Sequence, residues 1–238
     1  MTYWVMKILL TPLFHLLWRV RVEGREHIPR HGPAVLAANH RSFCDSLFLP
    51  LVVPRRVTFL AKAEYFESRK TAWFFRAVGE IPVRRGGGPE AVRALETARE
   101  ILGRGRLLAV YPEGTRGLDG RVHRGRTGVA RLSGECGVPV VPVGITGTVD
   151  VQPVDARMLR PFRTVVVRFG APVRMAPAGG REHGGAGRTG DHEGGCAVPT
   201  GDHEHAAYRR FTEDLMREIA RLSGCEYEDG YVPRRPAP

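Results

Sequence analysis

His40 and Asp45 stand five residues apart in Asn39-His40-Arg41-Ser42-Phe43-Cys44-Asp45, directly after the apolar run 34–38. A buried strand should end there and a helix begin. If the chain turns over Arg41, Ser42 and Phe43, the Asp45 carboxylate folds back onto one imidazole nitrogen of His40, fixes the tautomer and leaves the other nitrogen as a base for an alcohol. The same spacing fits an N-cap aspartate and a surface histidine at an ordinary strand-to-helix loop. Short motifs recur by accident, so the pair needs support from the rest of the chain.

That support is cationic. Lys62-Ala63-Glu64-Tyr65-Phe66 follows a strand candidate, Ile81-Pro82-Val83-Arg84-Arg85 ends one, and Tyr111-Pro112-Glu113-Gly114-Thr115-Arg116 ends another. Each delivers a cation to the same edge of a sheet. Converging cations make a phosphate cradle, because an arginine fork grips two oxygens and a lysine adds a point charge. A positive field also favours the neutral imidazole that acts as a base. Taken singly, each of these cations reads as an ordinary surface charge.

The elements that must position these groups follow from hydrophobic pattern. Apolar runs predict strands at 34–38, 57–60, 81–83, 107–111, 140–145 and 164–169, and helical periodicity predicts helices at 44–51, 70–78, 89–102 and 128–134. Pro89 suits a first helical turn and Gly103 a stop. Continuous apolar strands alternating with helices predict an α/β fold, a mostly parallel central sheet flanked by helices, with the site beyond the strand C-termini. At 238 residues and 42% hydrophobic the chain is large enough for a full core, which excludes wholesale disorder.

The flanks differ from this centre. Residues 1–22 carry Trp4, Ile8, Leu9, Leu13, Leu16 and Trp18, broken by Lys7, Pro12 and His15 and closed by Arg19 and Arg21. The stretch is too interrupted for a spanning helix and lacks a small-residue cleavage site, so it reads as a helix lying in a membrane interface; a buried core helix is the alternative. Residues 23–177, which hold the predicted strands and helices and the His40–Asp45 pair, are expected to form the domain that carries the site. Residues 178–207 are rich in Gly with His, Asp and Glu, and are expected to be a disordered insert. Gly-Asp-His-Glu occurs twice there, at 190–193 and 201–204, with Cys196 between and His205 after, but no standard metal-ligand spacing results. Residues 208–238 hold a closing helix, with Tyr208, Phe211, Leu215, Ile219 and Leu222 at helical spacing and Gly224 as a stop.

Charge narrows the partner. Thirty-six Lys and Arg against 25 Asp and Glu give +11, which points to an anionic partner such as nucleic acid, lipid headgroups or a phosphorylated substrate. With only Lys7, Lys62 and Lys70 as lysines, arginine is the default cation, and a lysine at 62 stands out. Four scattered cysteines, Cys44, Cys136, Cys196 and Cys225, make no disulfide framework and suit a reducing, cytoplasm-facing compartment.

Four motifs in order carry a resemblance. Asn39-His40-x4-Asp45, Gly79-x-Ile81-x-Val83-x-Arg85, Pro112-Glu113-Gly114-Thr115-Arg116 and Val138-Pro139-Val140-Val141-Pro142-Val143 resemble the four blocks of the glycerophospholipid acyltransferases, most closely the bacterial 1-acylglycerol-3-phosphate acyltransferases. The resemblance covers roughly residues 20–175. It implies His40 as catalytic base with Asp45 as its partner, and Asn39, Lys62, Arg85, Glu113, Gly114, Thr115 and Arg116 as substrate-binding residues. It further implies that Pro142 lies near the acyl site. The activity implied is transfer of an acyl group from acyl-CoA or acyl carrier protein to lysophosphatidic acid, with no cofactor or metal, at an anionic membrane surface on the cytoplasmic face. Glu113 would accept from the free hydroxyl or hold Arg116, and backbone N–H groups over 43–46 would form the oxyanion hole. Pro82 and Arg84 depart from the commonest second block, which leaves another lysophospholipid acceptor open, and Arg126 stands where a lysine is usual.

Two rivals from other classes find little in the chain. A nucleic-acid-binding domain would explain the basicity, yet there is no zinc-finger spacing, aromatic-studded basic strand or recognition helix. A serine hydrolase would use His and Asp, yet no Gly-x-Ser-x-Gly elbow occurs.

Overall fold

The structure, a computed structural model, describes residues 2–68, 72–73, 80–83, 88–153, 156, 158–176 and 201–233. The strands are β1 (Arg19–Glu23), β2 (Ala34–Ala38), β3 (Val57–Lys62), β4 (Ile81–Val83), β5 (Leu107–Val110), β6 (Val122–His123), β7 (Val140–Thr146), β8 (Thr164–Phe169) and β9 (Tyr227–Glu228). The helices are α1 (Thr2–Leu17), α2 (Asp45–Val52), α3 (Pro89–Gly103), α4 (Gly128–Cys136), α5 (Thr148–Val151) and α6 (Asp202–Ser223). Among the described residues seven strands make one sheet in the order β1-β8-β7-β2-β5-β3-β4, while β6 and β9 form a separate short ladder. Every pair in the large sheet is parallel except β7 with β8.

β2 lies at the centre and is buried along its whole length. Its alternation serves two cores. Ala34, Leu36 and Ala38 pack with Phe14 and Trp18 near α1 and with Phe48 and Leu49 of α2, while Val35 and Ala37 pack with Ile101 and Leu102 of α3, Leu132 of α4 and Met216 and Ile219 of α6. A strand covered on both faces must read as unbroken apolar sequence, which is why its bounds were legible. Phe14, Trp18 and Phe48 form an aromatic cluster with ring centroids 4.8–5.6 Å apart, which fixes the end of α1 against α2. Truncating a side chain such as Leu36 there should cost about 2–5 kcal/mol.

Two expected boundaries are corrected. The N-terminal helix ends at Leu17 instead of running through residue 22, because Val20 and Val22 alternate with Arg19, Arg21 and Glu23 and pair with β8 as a strand. The closing helix starts at Asp202, so 202–207 belong to α6 and not to the insert; Gly224, at φ 65°, stops it as expected. Residues 177–200, with Cys196 and the first Gly-Asp-His-Glu, lie outside the described residues, as do Gly79, Arg84, Arg85 and most of the expected helix at 70–78. Among the described residues no group of three His, Cys, Asp or Glu could hold a metal ion.

Candidate active site

Parallel pairing of β2, β5, β3 and β4 carries the residues after each strand to one edge of the sheet. At that edge β2 delivers Asn39 and His40. His40 Nδ1 lies 3.0 Å from Asp45 Oδ2, and the same oxygen accepts the backbone N–H groups of Arg41 at 2.7 Å and Ser42 at 2.8 Å. The turn over residues 41–44 is therefore built around the carboxylate. Asp45 is fully buried and His40 is 9% exposed. With Nδ1 on the aspartate, Nε2 is the nitrogen without a protein partner among the described residues. It is the atom a substrate hydroxyl would meet.

Three further contacts hold this pair, none of them visible in the sequence. Thr148 Oγ1 donates to Asp45 Oδ1 at 2.6 Å. Gly147, at φ 83°, makes that placement possible: a Cβ there would stand 2.0 Å from Thr164 O. The Tyr111 ring stacks on the His40 imidazole, centroids 3.9 Å apart and planes 11° from parallel, and Tyr111 Oη shares a hydrogen bond with Ser46 Oγ at 2.9 Å. Gly117 N–H donates to His40 O at 2.8 Å, tying the loop after β5 to the dyad.

Glu113, expected to accept from the free hydroxyl or to hold Arg116, binds two backbone N–H groups and is not paired with Arg116. Its Oε2 accepts the backbone N–H of His40 at 3.1 Å and its Oε1 that of His123 at 2.8 Å. At 3% exposure it joins the end of β2 to β6 from inside the protein. Burial pushes its carboxyl up to about 7, against the pull of those two N–H groups toward the ionised form. His123, also buried, pairs its Nε2 with Asp119 at 2.9 Å.

Asn39 is likewise a structural pin where a substrate contact was expected. Its Nδ2 donates to Ile145 O at 2.9 Å and its Oδ1 accepts from Ile145 N at 2.8 Å, continuing the β2–β7 ladder with a side-chain amide where the strand leaves off. The expected oxyanion donors are largely spent within the turn. Cys44 N–H donates to Ser42 Oγ, Asp45 N–H to Ser42 O and Ser46 N–H to Phe43 O.

Of the remaining substrate-binding candidates, Gly114, Thr115 and Arg116 follow one another on the loop after β5. Thr115 and Arg116 are exposed, and Arg116 has no acidic partner among the described residues. Gly114, at φ 76°, makes the turn, and a Cβ there would meet Arg126 Nε at 2.9 Å, so the glycine lets the Arg126 side chain lie across the loop. Arg126 is itself exposed and unpaired among the described residues, its guanidinium 5.9 Å from the Tyr231 ring centre. A cleft of about 230 Å3 opens here between Thr115, Arg116, Asp119 and His123 on one side and Val232 and Pro233 on the other. Lys62 closes β3 at the same edge; Arg85 lies outside the described residues. Pro142 is buried in β7, paired with Ala37.

A mostly parallel sheet with a His-x4-Asp turn at its C-terminal edge defines a protein of the acyltransferase class. The Acyltransferase family model matches residues 19–146, and the chain belongs to that family. The 1-acyl-sn-glycerol-3-phosphate acyltransferase LPAT1, chloroplastic, of Arabidopsis thaliana is 28% identical over 162 residues, 68% of this chain and 45% of its own length. The human 1-acyl-sn-glycerol-3-phosphate acyltransferase alpha is 32% identical over 143 residues, 58% of this chain and 50% of its own. The chain thus spans about half the length of the curated relatives it matches. The crystal structure of the 1-acyl-sn-glycerophosphate (LPA) acyltransferase PlsC from Thermotoga maritima is similar with a TM-score of 0.63 and 26% identity, over 91% of this chain and 78% of that one.

Proposed function

We propose that this chain transfers a fatty acyl group from a thioester donor, acyl-CoA or acyl carrier protein, to the free hydroxyl of 1-acylglycerol-3-phosphate, giving phosphatidic acid. The observation that carries the reading is the buried Asp45 carboxylate on His40 Nδ1, which reserves Nε2 for the acceptor. The names of the similar proteins supply the acceptor class.

His40 Nε2 takes the hydroxyl proton as the acceptor oxygen attacks the thioester carbonyl; the tetrahedral intermediate collapses, the C–S bond breaks, and the thiolate leaves without needing a strong acid. The acceptor phosphate rests on Arg116, with Lys62 and Arg85 as further cations, and Arg126 beside Gly114 adds charge on the same loop. The acyl chain follows the apolar cleft between α1 and α2, where Leu10, Phe14 and Leu47 converge beside Ser46.

The same reading sets α1 against the cytoplasmic leaflet of a membrane. Val5, Ile8, Leu9, Leu13 and Leu16 form one exposed stripe at helical spacing, opposite the face on which Phe14 and Tyr3 are buried. Among the described residues no helix is long and apolar enough to cross a bilayer; the exposed apolar stripe is what supports an interfacial α1.

Thiol release from acyl-CoA, followed with lysophosphatidic acid and a panel of other lysolipids for wild type and His40→Ala, tests the proposal. Turnover should fall about 10²- to 10⁴-fold in the variant. Undiminished turnover would remove His40 as the base, and preference for a different lysolipid would change the acceptor.

A further inference from the structure

The exposed stripe of α1 does not end at the helix. Its last turn is bonded to the loop that precedes β8: Phe162 N–H donates to Leu17 O at 2.6 Å, and Trp18 Nε1 donates to Arg160 O at 2.8 Å. That loop carries its own apolar side chains to the outside. Met158 is 82% exposed and Phe162 71%, with Leu159 beside them. Phe162 also has φ 60°, and among the described residues no other non-glycine has a positive φ. A bulky aromatic in the left-handed region is an outlier that glycine would remove. The turn itself is held by the bonds of Phe162 N–H to Leu17 O and Arg19 N–H to Arg163 O, but the ring is presented to solvent and fills no core, so packing gives no reason for an aromatic at this φ.

Cations dominate the charge around the patch, although exposed Asp150 and, further along, Asp155 precede it in sequence. From residue 1 to 22 and from 158 to 169 the sequence contains no Asp or Glu, while Lys7, Arg19, Arg21, Arg160 and Arg163 lie within those stretches. Arg160, Arg163 and Arg19 are exposed, and Arg19 N–H bonds Arg163 O at 3.0 Å, which sets the two arginine backbones side by side under the loop. An apolar tip ringed by cations matches an anionic lipid leaflet, where the side chains enter the acyl boundary and the guanidiniums stay among the phosphates.

We infer that residues 158–163 form a second membrane-contacting element, wedging Met158 and Phe162 into an anionic bilayer beside α1 and so setting the tilt at which the active-site edge meets the lipid. The inference rests on the interfacial reading of α1 given above. It adds a contact that is more than a hundred residues away in sequence and outside the region the family model matches.

Flotation of the full chain with vesicles of phosphatidylglycerol and phosphatidylcholine, against phosphatidylcholine alone, tests it with three variants. Wild type should bind the anionic vesicles preferentially. Phe162→Gly, and separately Met158→Ser, should each weaken that binding about tenfold, the worth of one apolar side chain withdrawn from the interface. Because glycine suits φ 60°, Phe162→Gly should melt within a few degrees of wild type, which separates lost membrane contact from lost folding. Ile8→Ser on α1 is the reference. If Ile8→Ser weakens binding and both loop variants bind like wild type, the loop is not a membrane element although the α1 reading stands. If wild type floats with neither vesicle, both fall. If the chain dimerises without lipid and Phe162→Gly abolishes the dimer, the patch covers a second copy and the inference is overturned.

Discussion

Thr148 Oγ1 approaches Asp45 Oδ1 to 2.6 Å from the side of the carboxylate opposite His40, and both residues are at most 1% exposed. Asp45 Oδ2 already takes three donors, so Thr148 is what satisfies the second oxygen and stops the carboxylate rotating about its own axis. Thr148→Val keeps the volume and removes the donor, leaving a buried oxygen unpaired, which costs about 1–3 kcal/mol. The expected result is a loss in kcat of about tenfold with the acceptor KM unchanged, and recovery in Thr148→Ser. A melting point lowered with kcat unchanged would mean that Thr148 supports the fold alone.

Tyr111 acts on the other face of the imidazole. Its ring lies 3.9 Å from that of His40 and its hydroxyl is held by Ser46, so ring and imidazole turn together or not at all. Tyr111→Phe keeps the stack and loses one hydrogen bond on the far side; kcat should change by less than about threefold. Tyr111→Leu removes the flat surface against which the imidazole is set, and the worth of an aromatic pair corresponds to about three- to tenfold in kcat. Equal losses in the two variants would assign the effect to the hydroxyl instead.

What the sequence revealed and what it hid divide along distance. The dyad was legible because five residues span one turn, and a histidine and carboxylate so placed have few ways to face each other. The bounds of β2 at 34–38 were legible because an unbroken apolar run states its own burial, and those of β4 at 81–83 and β8 at 164–169 because short β-branched runs mark strands even where burial alternates along them. Thr148 meets Asp45 across 103 residues and Glu113 meets His40 across 73, and such pairs depend on strand order, which no local pattern encodes. The sheet order, with β1 at its edge, is equally non-local. β1 was hidden for a second reason: its five residues abut a helix, and Arg19 and Arg21 suit a helix end as well as the outward face of a strand. β6 and β9 are two-residue ladders formed in loop sequence, without propensity of their own. That Glu113 pins two backbone N–H groups and does not pair with Arg116 was hidden, because its motif names only the residues beside it, whereas burial decides what a carboxylate binds within the fold.

Glu113 gives stability a pH dependence whose sign follows from its burial. The folded chain holds the proton to about pH 7, whereas an unburied glutamate releases it near 4.5. Its contribution is therefore fully present below about 4.5 and is lost as pH rises through about 7, by up to about 3 kcal/mol. Glu113→Gln cannot titrate. The melting-temperature difference, wild type minus variant, should thus fall between about pH 5 and about pH 8. The variant also turns an NH₂ toward either His40 N–H or His123 N–H, so it should be less stable than wild type at about pH 5 and lose about tenfold or more in kcat. A difference flat in pH would show that the carboxyl titrates at its ordinary value.

Arg116 lies three residues beyond Glu113, yet the two should behave oppositely. Glu113 faces inward and holds the backbone of His40; Arg116 is exposed at the mouth of the cleft, with no acidic partner among the described residues, one residue before the Gly117 N–H that bonds His40 O. An unpaired guanidinium so close to the base can grip the acceptor phosphate without touching the hydroxyl that reacts. Removing it takes binding from ground state and transition state alike, which raises KM and leaves kcat nearly intact. Arg116→Ala should raise the KM for lysophosphatidic acid about ten- to hundredfold, the worth of a charge-assisted hydrogen bond. The rise should shrink with a dephosphorylated acceptor such as monoacylglycerol. Arg116→Lys should recover part of the loss, since a point charge replaces the fork but not its two parallel bonds. The fold should be indifferent, because nothing buried depends on this side chain; a fall in kcat with KM unmoved would place Arg116 on the reacting carbonyl instead of the phosphate.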